Sequence, residues 1–186
     1  MFTKCGAMSK FIQNKDTIKN LSFKYRKSNK KVALAHGVFD VIHLGHLDYF
    51  REAKELADIL IVSVTADKYV DKGLNKPFFN EKDRAYFLTS LEMVDHVIIN
   101  HHKNSYDLIN LIKPDFYVKG PDYKKKSGDV AGNLSKEKRA VIKGGGKIHF
   151  TSGRQYSSSK IINEKLDFLT DLQKKHISKL KKSNDK

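Results

Sequence analysis

The chain has 186 residues, 39% of them hydrophobic, and a formal net charge of +15. That length suits one α/β domain with a short appendage, and no apolar run approaches the ~18 residues that span a bilayer. The first residues, with Lys4 and Lys10, lack the apolar stretch of a signal peptide, and the single Cys5 excludes an internal disulfide framework and fits a reducing cytoplasm. The basic residues are 31 Lys and only 5 Arg. Proteins that read base edges favour Arg, and no aromatic-rich RNA motif or basic helix pair is present. The charge therefore reads as a lysine-rich surface that attracts small anionic substrates, with nucleic acid an unfavoured partner.

In chain order, residues 1–30 form a polar, weakly helical extension with Phe11, Ile12, Ile18, Leu21 and Phe23 as packing points. Val32 to His36 is a buried strand that runs into a Gly turn, and a helix opens near His43-Leu44-Gly45-His46 and covers about Leu47 to Ala57. Ile59 to Val64 is a continuous apolar, β-branched run, the pattern of a strand buried on both faces of a parallel sheet. Asn80 reads as an N-cap, with Glu81, Asp83 and Arg84 in the first turn of a helix ending near Glu92. Val94 to Ile99 is a third strand, Ser105 to Ile112 a short helix stopped by Pro114, and Phe116 to Val118 a fourth strand. Leu134 to Lys143 is a helix closed by Gly144-Gly145-Gly146, and Lys147 to Phe150 is a fifth strand. A long helix from Ser159 to about Lys182 carries Ile162, Leu166, Leu169, Leu172 and Leu180 on one side and lysines opposite. That stripe reads as a packing face and not a membrane anchor, and it offers a surface on which two subunits can pair.

The alternation predicts a doubly wound, Rossmann-like parallel sheet of five strands with helices on both faces. Residues 31–165 would form this domain, with the extension 1–30 before it and an amphipathic helix with a basic tail, 166–186, after it. Ligands in such sheets bind outside the carboxyl ends of the strands, at a topological switch point. Four loops fall there: Gly37 to His46, Thr65 to Asn80, Lys119 to Tyr123 and Ser152 to Lys160. The first is the most informative. It sets two imidazoles, His43 and His46, at a strand-to-helix junction where free N–H groups and the positive end of a helix dipole collect. Gly45, without a Cβ, lets a phosphate approach the backbone. No Cys or third His lies nearby, so a metal centre is the weaker reading, and no residue is assigned as a metal ligand.

The run Gly37-Val38-Phe39-Asp40-Val41-Ile42-His43-Leu44-Gly45-His46 resembles the Gly-x-Phe-Asp-x-x-His-x-Gly-His signature of the HxGH, or cytidylyltransferase-like, nucleotidyltransferase superfamily. Lys119-Gly120-Pro121-Asp122-Tyr123 looks like the Val-Lys-Gly-x-Asp-Tyr segment of heptose-phosphate adenylyltransferases, above all the nucleotidyltransferase half of bifunctional ADP-heptose synthases. Tyr156-Ser157-Ser158-Ser159-Lys160-Ile161 is similar to a loop of glycerol-3-phosphate cytidylyltransferases, and Lys72-Gly73 with Pro77 and Arg84 resembles both groups. Pro121 and the extension Lys124 to Gly128 depart from the glycerol-phosphate pattern.

The resemblance covers about residues 30–165 and implies transfer of a nucleoside monophosphate from ATP or CTP to a phosphorylated sugar or polyol, with release of pyrophosphate. The first expectation is a heptose-1-phosphate-like acceptor. Glycerol 3-phosphate or phosphoethanolamine is the alternative, and a non-catalytic nucleotide- or nucleic-acid-binding module is the alternative of another class. The sugar-kinase half is not in the sequence, so nucleotidyl transfer alone is expected. On this reading His43, His46 and Lys72 are catalytic. Gly37, Val38, Phe39, Asp40, Gly45, Arg84, Lys119, Gly120, Asp122, Tyr156, Ser157, Ser158 and Ser159 bind the nucleotide or its phosphates, with Arg154 and Lys160 adding charge. Mg²⁺ would accompany the triphosphate and keep phosphate and water ligands.

Overall fold

Six parallel strands, not five, form the sheet in this computed structural model, which describes residues 10–71, 77–124, 134–153 and 156. The elements are β1 (Phe11–Ile12), α1 (Lys15–Lys27), β2 (Val32–Gly37), α2 (Leu44–Glu55), β3 (Ile59–Thr65), α3 (Glu81–Thr89), β4 (His96–Asn100), α4 (Tyr106–Ile112), β5 (Phe116–Lys119), α5 (Leu134–Lys143) and β6 (Lys147–Phe150). Two short 3₁₀ turns, Asp67–Tyr69 and Pro121–Lys124, follow β3 and β5. The chain divides into two compact units, Met1–Gln155 and Tyr156–Lys186. The fold described is that of the first. Of the second, only Tyr156 is described, and it is exposed.

The strands lie in the order β1-β4-β3-β2-β5-β6. The chain builds outward from β2 through β3 to β4, then crosses back and adds β5 on the other side of β2. The reversal between β2 and β5 opens a crevice at their carboxyl ends, where open α/β sheets take ligands. The sixth strand is β1, which pairs with β4 through Phe11↔Val97 and Ile12↔Ile98. Two residues are too few to show a strand period in sequence.

Alternate strand residues feed two cores, one on each face. Ala33, Ala35, Leu60, Val62, Val64, Val97 and Val118 pack with Tyr49, Phe50 and Ala53 of α2 and Ala85 and Leu88 of α3. Val32, Leu34, Ile59, Ile61, Ile98 and Tyr117 pack with Ile18 of α1, Leu108, Ile109 and Ile112 of α4, and Ala140 and Val141 of α5. α1 is a full helix of the fold: Asn14 caps it by accepting from Thr17 N at 2.8 Å, and Ile18 is fully buried. Burying one such side chain contributes about 1.5–3 kcal/mol. Among the described residues no helix is long and apolar enough to cross a membrane.

Candidate active site

β2 ends in a turn with no room for a side chain at Gly37, where a Cβ would stand 2.9 Å from Phe39 Cζ. Phe39 itself has φ 52°, in the left-handed region that aromatic residues rarely adopt. Its ring is buried, edge-on to His46 at 5.4 Å and 5.0 Å from Phe50. Phe39 thus forms the floor under His46, and only its backbone is left to face a ligand. Packing of the Phe39 ring offsets the strained turn.

α2 starts at Leu44, three residues earlier than its apolar pattern indicates, because His43 caps it. His43 Nδ1 and the His43 carbonyl both accept from His46 N, at 3.3 and 2.8 Å. The two rings stack at 3.8 Å with 13° between their planes. Burial lowers the His43 pKa, so the ring is neutral at neutral pH. With Nδ1 accepting, the proton belongs on Nε2. Gly45 lies half-buried in the same first turn.

Asp40 is buried, and its two oxygens accept from Phe78 N at 2.8 Å and Phe79 N at 2.9 Å. Its carboxylate shapes the approach to α3 instead of meeting a phosphate. Lys72 lies outside the described residues, as do Arg154, Ser157, Ser158, Ser159, Lys160 and the long C-terminal helix.

Arg84 departs most from its expected role. Its side chain has no exposed surface. Nε donates to Phe79 O at 2.9 Å, Nη1 to Val38 O, and Nη2 to Thr65 O at 2.7 Å and Asp67 Oδ1 at 2.6 Å. A guanidinium so engaged has no fork left for a phosphate. Arg84 instead ties together the turn after β2, the end of β3 and the start of α3. The half-buried Val38 contributes its carbonyl to that tie. Asp67 and Glu81 reinforce it, each backbone N–H donating to the other's carboxylate at 2.8 and 3.0 Å.

Lys119 is buried as well. Its ammonium sits 3.1 Å from Glu137 Oε2, 4.8 Å from the Tyr117 ring centroid and 4.6 Å from that of Tyr123. It therefore props the turn after β5 from inside and does not reach a phosphate directly. In that turn a Cβ on Gly120 would stand 2.5 Å from Asp122 Oδ1, so the Asp122 carboxylate folds back over Gly120. Asp122 remains exposed to a ligand. On the other side of the site, Glu52 of α2 accepts from Ser152 N at 2.9 Å and meets His149 Nε2 at 2.7 Å. Burial would raise the Glu52 pKa, but the bonds from His149 and Ser152 outweigh it and leave the pKa lowered. This contact joins α2 to the end of β6.

His36, on β2 just before Gly37, enters the site without having been singled out in sequence. Its Nδ1 lies 3.0 Å from Ser63 Oγ. Burial, then the Lys119 charge, push its pKa down to about 4. A histidine at the carboxyl end of the central strand was the available signal. For both His36 and His43 the folded pKa lies below the ordinary value of 6.5. Their stabilisation is complete above that value and is lost as pH falls, because the unfolded chain takes up protons first. We expect Tm to fall by on the order of 5 °C between pH 6.5 and 4 beyond the effect of surface carboxylates. Calorimetry of His36→Gln beside the wild type checks this: the variant should lose less over that interval, and equal losses would remove His36 from the explanation.

The stacked histidines, the Gly37 turn and the Asp122 turn follow β2 and β5, the two strands that flank the switch point. The profile of the Cytidylyltransferase-like family matches residues 34–164. The bifunctional protein HldE of a Nitratiruptor species is 43% identical over 133 residues, 70% of this chain and 29% of that protein. The bifunctional protein HldE of Campylobacter jejuni is 36% identical over 163 residues, 87% of this chain and 32% of that protein. The chain thus spans under a third of the length of these curated relatives. Among solved structures, the lipopolysaccharide core biosynthesis protein of Thermoplasma volcanium aligns with TM-score 0.54 and 27% identity, over 69% of this chain and 99% of that one. A pantoate-beta-alanine ligase from Francisella tularensis, 17% identical, shares the fold at TM-score 0.57, over 87% of this chain and 73% of that one. With the family profile covering residues 34–164, most of its length, the chain belongs to the cytidylyltransferase-like family.

Proposed function

We propose that the chain is a nucleotidyltransferase that joins the nucleoside monophosphate unit of ATP or CTP to a sugar phosphate of the heptose-1-phosphate type. The carrying observation is the His43–His46 stack, 3.8 Å between ring centroids, on the first turn of α2. The chain's similarity to bifunctional HldE proteins and to a lipopolysaccharide core biosynthesis protein supports a sugar-phosphate acceptor. An acceptor phosphate oxygen attacks the α-phosphorus, the bond to the bridging oxygen of the β-phosphate breaks, and pyrophosphate leaves. The nucleophile is already ionised at neutral pH, so no strong base is needed. The remaining barrier is to gather two anions and stabilise charge on the reacting phosphoryl oxygens.

His43, neutral with a proton on Nε2, donates to that oxygen. His46, braced by Phe39, holds the second position, and the N-terminus of α2 adds its dipole. Lys72 would bring its positive charge to the triphosphate, and Ser157, Ser158 and Ser159 would offer hydroxyls to a phosphate. Mg²⁺ bound to the triphosphate would supply charge neutralisation and keep phosphate and water ligands. A cytoplasmic location, supported by the single Cys5, and a homodimer, supported by the apolar sequence stripe Ile162, Leu166, Leu169, Leu172 and Leu180, complete the proposal.

The test is pyrophosphate release with Mg²⁺, crossing ATP, CTP, GTP and UTP with sugar phosphates, glycerol 3-phosphate and phosphoethanolamine. Release with ATP or CTP and a sugar phosphate is expected. Release with glycerol 3-phosphate or phosphoethanolamine alone would replace the acceptor, and silence across the panel would overturn the enzyme reading in favour of a binding module.

A further inference from the structure

We propose that Glu137 is a positioning residue for the nucleotide side of the site, holding Lys119 as the post that seats the Asp122-bearing turn. The inference rests on the nucleotidyl-transfer reading and adds a residue to it. Glu137 belongs to α5 and is 3% exposed. Its Oε2 meets Lys119 Nζ at 3.1 Å, and its Oε1 accepts from Ser105 N at 3.1 Å and Ser105 Oγ at 2.7 Å. Ser105 Oγ in turn lies 2.6 Å from Tyr117 Oη. Both carboxylate oxygens are thereby engaged and the carboxylate is fixed in place. Burial pushes the Glu137 pKa up, but Lys119 and Ser105 outweigh it and leave it lowered, so the group is ionised.

A buried ion pair is a poor device for stability alone, since an apolar pair of similar volume does as well or better. What this pair adds is a fixed cation. Lys119 Nζ packs on the rings of Tyr117 behind it and Tyr123 in front. Tyr123 closes the turn through Tyr123 N to Gly120 O at 3.2 Å, and Asp122 rides on that turn. The turn follows β5, the strand beside the β2–β5 crevice where the ligand belongs. If the Glu137 charge is removed, Lys119 is left buried without its counter-ion and must reorient, taking its cation–π contact from Tyr123.

The test compares wild type, Glu137→Gln and the double variant Lys119→Met/Glu137→Met. It reads thermal melting, the Kd of ATP and of CTP by calorimetry, and KM and kcat for pyrophosphate release. Glu137→Gln should raise the Kd and KM for the bound nucleotide about tenfold, with a smaller change in kcat. The double variant should regain the wild-type melting temperature while keeping the raised Kd. A double variant with wild-type melting and wild-type Kd would overturn the inference and reduce the pair to packing, and so would a folded Glu137→Gln with unchanged Kd. Should the wild type bind nucleotide without releasing pyrophosphate, the transfer reading fails, and the Kd comparison alone decides the role of Glu137. Failure of the wild type to bind either nucleotide overturns both.

Discussion

His46→Ala lowers kcat for pyrophosphate release by about 10²- to 10³-fold, the cost of removing one preorganised donor from a site where transition-state charge develops. KM should move far less, because a contact made mainly in the transition state contributes little to ground-state binding. The ring has structural neighbours as well: Phe39 at 5.4 Å edge-on and His43 at 3.8 Å in the stack. Some loss of melting temperature is therefore expected, and the two effects must be separated. His46→Gln, which restores bulk and one donor, should recover most of the stability and only part of the rate. Steady-state kinetics beside thermal melting checks this. A folded His46→Ala with kcat near wild type would remove His46 from the chemistry.

The largest stability effect is expected at Arg84. Arg84→Met removes the guanidinium donor from the carbonyls of Val38, Thr65 and Phe79 and from Asp67 Oδ1. Breaking a buried charged pair by removing one partner costs about 3–5 kcal/mol. The lower end, about 3 kcal/mol, applies here because the Asp67 side chain is 38% exposed while that of Arg84 is fully buried. Arg84→Lys should not rescue, since an ammonium lacks the planar fork that serves three segments at once. Urea denaturation measures the change, and catalysis should fall with the folded fraction. A stable Arg84→Met with selectively lost nucleotide binding would instead restore Arg84 as a phosphate ligand.

The contrast between His46 and Arg84 shows what can be read from a sequence of this kind. Continuous β-branched runs such as Ile59–Thr65 announce strands buried on both faces, and a His-x-Gly-His after such a strand announces a helix N-terminus with two imidazoles. Both signals are local, so they are legible in the sequence alone. The role of Arg84 is not local. On α3 it has acidic neighbours at Glu81 and Asp83, yet its partners lie 46, 19 and 17 residues away at Val38, Thr65 and Asp67. Nothing in spacing separates an arginine that greets a phosphate from one that ties three loops. Lys119 was equally ambiguous, because its burial depends on Glu137 of α5. Glu137 carries no motif and is one of several charged residues in Leu134–Lys143. β1 escaped for a different reason, being two residues long and defined only by its partner β4.

A single labelling experiment separates nucleotidyl transfer from every other reaction of a triphosphate. With Mg²⁺, a sugar phosphate and the preferred nucleotide, label placed on the α-phosphate should appear in the sugar nucleotide, and label on the γ-phosphate should leave in pyrophosphate. Label from the γ-phosphate in the sugar product, or in free orthophosphate with the α-label still in nucleoside diphosphate, would contradict a site built to open the α-phosphoryl bond.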